Sequence, residues 1–139
     1  MTGLLEPRAI GQDLARGLPS PGAPVQGDVE QVLLDPSVRG ELGRAMTLGA
    51  GVLRSGASLG EAARTLEVLA GRRSDDPSPA AWEATDLHTV ATALVAAAAR
   101  REETRGAHWR EDHPDADDAW RGHLVTTLRG TAYEPLEPS

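Results

Sequence analysis

Residues 91–99, ATALVAAAA, constrain this chain more than any other stretch. Small side chains around much of a helix allow neighbours to approach closely, so this segment is expected to lie sandwiched between other elements. It belongs to a helical pattern running from about Ala80 to Arg101. Trp82, Leu87, Val90, Ala91, Leu94, Val95 and Ala98 mark the face expected to be buried. The 139 residues contain no Phe, one Tyr and three Trp, so Leu, Val and Ala must fill the interior. Such a core suits close-packed helices better than strands with bulky side chains.

Two more helices are expected upstream. Asp35 is placed to cap the first, with Pro36 in its first position, where no amide donor is needed. Val38, Leu42, Ala45, Met46, Gly49, Val52 and Leu53 then recur at helical spacing, and Ser55-Gly56 ends the run. Ser58 and Glu61 read as a capping box for the second, followed by Leu59, Ala62, Ala63, Leu66, Leu69 and Ala70 up to Gly71. The predicted fold is all-α: an up-down-up three-helix bundle, spectrin-repeat-like, with an irregular charged C-terminal segment. Residues 35–128 form the bundle domain. Residues 1–16 are an appendage, 17–34 a linker around the Pro- and Gly-rich GLPSPGAPVQG, and 129–139 an irregular tail. Within the bundle domain a short helix is expected near Asp115, and LVTTL (124–128) has weak strand character.

A net charge of −7 argues against nucleic acid or an anionic membrane as main partner. Without Cys there are no disulfides and no thiolate chemistry. The longest apolar stretch, Ala93 to Ala99, falls far short of the ~20 residues of a membrane span. The opening MTGLLEPRAI lacks a basic region ahead of an apolar run, so no secretory signal is expected and the protein is expected to be cytoplasmic.

Residues 102–123, EETRGAHWREDHPDADDAWRGH, concentrate charge, histidine and tryptophan. A metal reading would use His108, Asp112, His113, Asp115, Asp117 and His123. The histidine spacings of five and ten are wrong for a helix-borne pair, and Pro114 interrupts any helix, so no metal is expected. A His108–Asp112 acid–base pair lacks an enclosed pocket to tune it, and no catalytic residue is assigned. Gly49-Ala50-Gly51 starts like a dinucleotide fingerprint, but Arg54 stands where a third Gly belongs and no strand precedes it. The structural reading is favoured. Arg105, Arg110 and Arg121 alternate with Glu103, Glu111, Asp112, Asp117 and Asp118, so bidentate pairs can pin the loop to the bundle. Gly106 suits a sharp reversal, and Trp109 and Trp120 can cover apolar surface.

The segment ETRGAHWREDHPDADDAW resembles the signature E-S-R-G-x-H-x-R-x-D-x-P-x-x-D-x-x-W of the C-terminal helical domain of L-aspartate oxidase, shared by succinate dehydrogenase and fumarate reductase flavoproteins. Arg105, Gly106, His108, Arg110, Asp112 and Trp120 fall in register, His123 follows at the matching offset, and Thr104 replaces Ser. The resemblance covers roughly residues 38 to 124. It extends faintly to Gly3-Leu4-Leu5-Glu6, which looks like the tail of the flavin domain, where Gly3 and Leu4 would contact the cofactor. Here Pro7 intrudes and Gly3 replaces the family's Ser.

What the resemblance implies is an FAD-dependent oxidoreductase that converts L-aspartate to iminoaspartate for NAD biosynthesis. In that family the FAD fingerprint and substrate residues lie in other domains. This chain alone is therefore expected to hold no cofactor and to be inactive, bracing a flavin-binding domain supplied in cis or as a separate chain. The alternatives are the C-terminal part of a succinate dehydrogenase or fumarate reductase flavoprotein, and a stand-alone helical interaction protein. The first is disfavoured by the sixteen residues that follow His123, fewer than in those subunits.

Overall fold

A computed structural model describes residues 32–127 and 130–136. The readings on Gly3 and Leu4, on the 1–16 appendage and on most of the 17–34 linker lie outside the described residues. Helix α1 spans Val38–Gly49, α2 Gly56–Ala70 and α3 Pro79–Arg100. Six short strands alternate with or follow them: β1 Leu33–Leu34, β2 Leu53–Arg54, β3 Arg73–Ser74, β4 Trp109–Arg110, β5 Gly122–Thr127 and β6 Gly130–Pro135. They pair as three two-stranded sheets, β1 antiparallel to β3, β2 parallel to β4, and β5 antiparallel to β6. The expected all-α bundle with an irregular end is thus corrected to a mixed α/β architecture. The tail is corrected most, since Gly130–Pro135 is a strand in register with β5, and Leu124 stands opposite Tyr133. A three-residue 3-10 turn at Asp118–Trp120 replaces the short helix expected near Asp115.

Local chemistry sets the helix ends. The Ser78 side chain accepts the Ala81 amide, and Pro79 follows in the first turn, so α3 starts where its sequence predicts. Ser55 caps α2, its Oγ accepting from the Ser58 amide while Ser58 Oγ accepts from the Ser55 amide. The box therefore forms three residues earlier than Ser58–Glu61. That shift ends α1 at Gly49 instead of Ser55 and leaves Val52 and Leu53 exposed, where the stripe had placed them in the core. Gly49 explains the break: a Cβ there would lie 2.7 Å from the Ala62 Cβ, so α1 and α2 touch at this glycine.

The core joins Leu34, Val38, Leu42, Leu59, Leu66 and Leu69 to an alanine-rich stripe of α3, Ala84, Ala91, Val95 and Ala98. Small residues let α3 approach its neighbours closely. Of the face expected to be buried, Ala91, Val95 and Ala98 are, whereas Trp82, Leu87, Val90 and Leu94 are exposed, which corrects the reading for those four. Within 91–99 only Ala91, Val95 and Ala98 are buried, and Thr92, Leu94, Ala96 and Ala99 are exposed, so the segment is covered on one side.

Candidate functional site: a charged motif at the helix ends

The chain leaves α3 at Arg101 and folds residues 101–123 back across the ends of all three helices. Three polar side chains meet those ends, each of the charge that the helix dipole favours. Arg110, 2% exposed, donates from one terminal nitrogen to the carbonyls of Ala98, Ala99 and Arg101 at 3.0–3.2 Å, capping the C-terminus of α3. Its Nε and other terminal nitrogen hold both Asp112 carboxylate oxygens, at 2.8 and 2.9 Å. Asp112 in turn accepts the Gly56 amide at 2.7 Å, at the N-terminus of α2. Arg54 Nε donates to Ala50 and Gly51 carbonyls at the C-terminus of α1. The Arg110 and Gly56 hydrogen bonds hold the Asp112 carboxyl well below the usual carboxylate range.

Glu103 is fully buried and accepts from Arg101, from Arg105 Nε at 3.0 Å and from the Asp117 amide at 2.9 Å. Burial pushes its carboxyl upward, but the Arg105, Asp117 and Arg101 hydrogen bonds together outweigh this and hold it below its ordinary value. Arg105 also reaches the Asp117 carbonyl, and Arg101 bonds the carbonyls of Trp120 and Gly122, tying down the start of β5. Trp120 meets the Tyr133 ring edge-on at 5.5 Å. Thr104 Oγ1 accepts the Arg110 amide at 2.9 Å and donates to the His113 carbonyl at 2.9 Å, a pairing that a hydroxyl can make because it both donates and accepts.

Arg105 and His108 exchange both backbone hydrogen bonds around a tight turn whose Gly106 has φ +60°. A Cβ at Gly106 would meet nothing within 4 Å, so its requirement is conformational alone. Gly106→Ala is expected to destabilise by about 1 kcal/mol without displacing any neighbour, read as a lowered urea midpoint with an unchanged slope.

His108 Nδ1 lies 3.0 Å from an Arg54 terminal nitrogen and Nε2 3.1 Å from the Arg101 carbonyl. Arg54 can only donate, so Nδ1 is the acceptor and the proton sits on Nε2. Burial lowers the His108 pKa, and the Arg54, Arg110 and Arg101 cations add to this, against the Arg101 carbonyl. The unfolded chain therefore takes up this proton first. The stability that neutral His108 contributes is complete above pH ~6.5 and is lost as pH falls toward its lower native value. Urea midpoints should drop between pH 7.5 and 5, a window above the titration of Asp112 and Glu103, and the drop should shrink in His108→Gln.

The named motif residues Arg105, Gly106, His108, Arg110, Asp112 and Trp120 thus come together, and His123 sits exposed on β5 beside a groove shared with His108. Arg54 and Arg101 escaped the sequence reading, although an Arg just past a helix C-terminus is a recognisable capping signal. No group of three or more His, Asp or Glu among the described residues has metal-binding geometry.

The sequence pattern of the family described as fumarate reductase flavoprotein C-term matches residues 39–138. The chain belongs to that family. It is 52% identical over 106 residues to an L-aspartate oxidase of Streptomyces coelicolor, covering 69% of this chain and 18% of that protein. An L-aspartate oxidase of Rhodospirillum rubrum is 36% identical over 118 residues, 84% of this chain and 40% of that one. A chain of the Mycobacterium smegmatis Sdh1 complex in the apo form shares the fold, with a TM-score of 0.63 at 24% identity over 95% of this chain and 25% of its own length. The chain therefore spans less than half the length of the relatives it matches.

The family's description names a flavoprotein, and the Gly49–Gly51 stretch does not fit a dinucleotide fingerprint. Gly49 and Gly51 close the end of a helix instead of opening a strand-to-helix turn, and the space beside Gly49 holds Ala62. The N-termini of α2 and α3 are closed by Asp112, Ser55 and Ser78. No step of a flavin reaction can be assigned to these side chains.

Proposed function

We propose that this chain is the C-terminal domain of an L-aspartate oxidase and acts as a non-catalytic brace for the flavin-binding domain, which carries out the FAD-dependent oxidation of L-aspartate to iminoaspartate in NAD biosynthesis. The observation carrying the scaffold role is that Arg110, Asp112 and Glu103 are all engaged in holding helix ends and loop backbone, leaving none of them to act on a substrate. The open face of Trp82, Leu87, Val90 and Leu94 supports a covering domain. The identity to the Streptomyces relative supports the choice of enzyme.

The purified chain should be colourless and form no hydrogen peroxide from aspartate. It should co-purify with the flavin-binding part of the Streptomyces enzyme and restore its oxidase activity. Yellow protein with stoichiometric flavin, or peroxide from the chain alone, overturns the reading. The family's description favours one second reading, a fumarate reductase or succinate dehydrogenase flavoprotein. Fusing the chain to the flavin domain of each enzyme and comparing rescued activities separates the two.

A further inference from the structure

A groove of about 350 Å³ opens between the C-terminal half of α3 and β5, and it reverses the charge of the protein around it. The chain carries 21 Asp and Glu against 14 basic residues, yet the groove is lined by Arg54, Arg101, His108 and His123 with no acidic side chain. Leu94 and Leu124 form apolar walls. Arg101, Arg105 and Arg110 each have a carboxylate within ion-pair distance, whereas half-buried Arg54 has none among the described residues.

Atom by atom, Arg54 uses Nε for the Ala50 and Gly51 carbonyls and one terminal N–H for His108. A guanidinium has five N–H groups in a planar fork. The rest of the fork has no protein acceptor among the described residues, and Arg54 lines the groove.

We propose that this groove is a carboxylate-binding site, in which the unused edge of Arg54 takes the anion, His123 flanks it, and Leu94 and Leu124 receive its carbon skeleton. The apolar walls favour an organic carboxylate over phosphate or chloride. The neutral state of His108 fits the same picture, since the surrounding cations leave a positive potential that a bound anion would relieve. The carboxylate comes either from a small free acid or from an Asp or Glu side chain of an adjoining domain. The proposal goes beyond the bracing role and does not need it.

Titrating the full chain with succinate against sodium chloride at matched ionic strength tests the free acid, read by NMR at Arg54 Nε and the His108 and His123 rings. Saturable shifts are expected, weakened about tenfold or more by Arg54→Gln and partly by His123→Gln, and untouched by Arg39→Gln on α1. His123 is exposed, so that variant keeps the test open if Arg54→Gln fails to fold. The second arm mixes the chain with the flavin-binding part of the Streptomyces L-aspartate oxidase. Arg54→Glu should weaken that association at least about tenfold, with succinate competing. If no association occurs at all, the bracing role fails and the succinate arm alone decides. Shifts reproduced by sodium chloride, or equal losses with Arg39→Gln, overturn the site, as does a flat response in both arms.

Discussion

Arg110→Ala is expected to destabilise the chain by about 3 kcal/mol and to lower its melting temperature by roughly 10 °C, the low end for a broken buried pair because the Asp112 side chain is 37% exposed and can be rehydrated. Two losses combine. Asp112 keeps the Gly56 amide but loses both guanidinium bonds, and the carbonyls of Ala98, Ala99 and Arg101 lose their buried donor. Some buried ion pairs can be replaced by apolar residues without loss, but a methionine here would still leave those carbonyls without Arg110. Arg110→Lys should recover only part of the stability, because one ammonium cannot reach Asp112 bidentately and the α3 carbonyls together. Thermal melts followed at 222 nm check the size of the effect. A double-mutant cycle with Asp112→Ala checks its origin, since an additive cycle would remove the ion pair from the account and leave only the α3 carbonyl bonds and packing.

The same pair explains how a loop without regular structure at its centre joins distant helix ends. Arg110 stands on β4, which lies parallel to β2, with Arg54 paired to Arg110 in the register. Arg54 caps α1, Arg110 caps α3, and Asp112 sits at the start of α2. Opposite ends of two helices thus receive opposite charges from one ion pair, so the dipole interactions and the Arg110–Asp112 attraction act in the same direction.

What could be read from the sequence was whatever local chemistry decides. The helical pattern from about Ala80 places the start of α3 close to its actual first residue, Pro79, and the motif offsets set Arg105, His108, Arg110 and Asp112 in one register. The capping box is expected at Ser58–Glu61 and forms at Ser55–Ser58. Contacts distant in sequence decide it: Ser58 Oγ donates to the Gly49 carbonyl, and Asp112 accepts the Gly56 amide. Gly49 matched the apolar stripe as a helix-interior residue, whereas its role is to let Ala62 approach. Hydrophobic periodicity also treats alanine and tryptophan as equally apolar, so it could not tell that α3 turns its small residues inward and Trp82 and Leu94 outward. The β6 strand was hidden because its packing partner, Trp120 against Tyr133, lies outside the hairpin's own sequence.

Glu103→Ala should cost about 3 kcal/mol, at the low end for a broken buried pair because Arg105 is 40% exposed and can be rehydrated. Arg101 cannot recover so easily, being 14% exposed, and it loses the anion that orients it toward the Trp120 and Gly122 carbonyls. The damage should therefore concentrate in the β5–β6 hairpin: amides of Leu124 and Tyr133 should exchange faster by hydrogen exchange than those of Leu59 and Leu66 on α2. Glu103→Gln keeps an acceptor for the Asp117 amide and loses the charge, for a smaller cost of about 1.5 kcal/mol. The acid limb gives an independent readout. Because the native carboxyl is held below its ordinary value, its stabilisation is complete above the unfolded pKa of ~4.3 and is lost as pH falls further. Glu103→Gln should flatten that part of the stability profile and leave the drop between pH 7.5 and 5 unchanged, since the upper window belongs to His108. A variant that instead altered both windows equally would mean that the two groups unfold as one unit, and that the Glu103 network supports the helix ends as well as the hairpin.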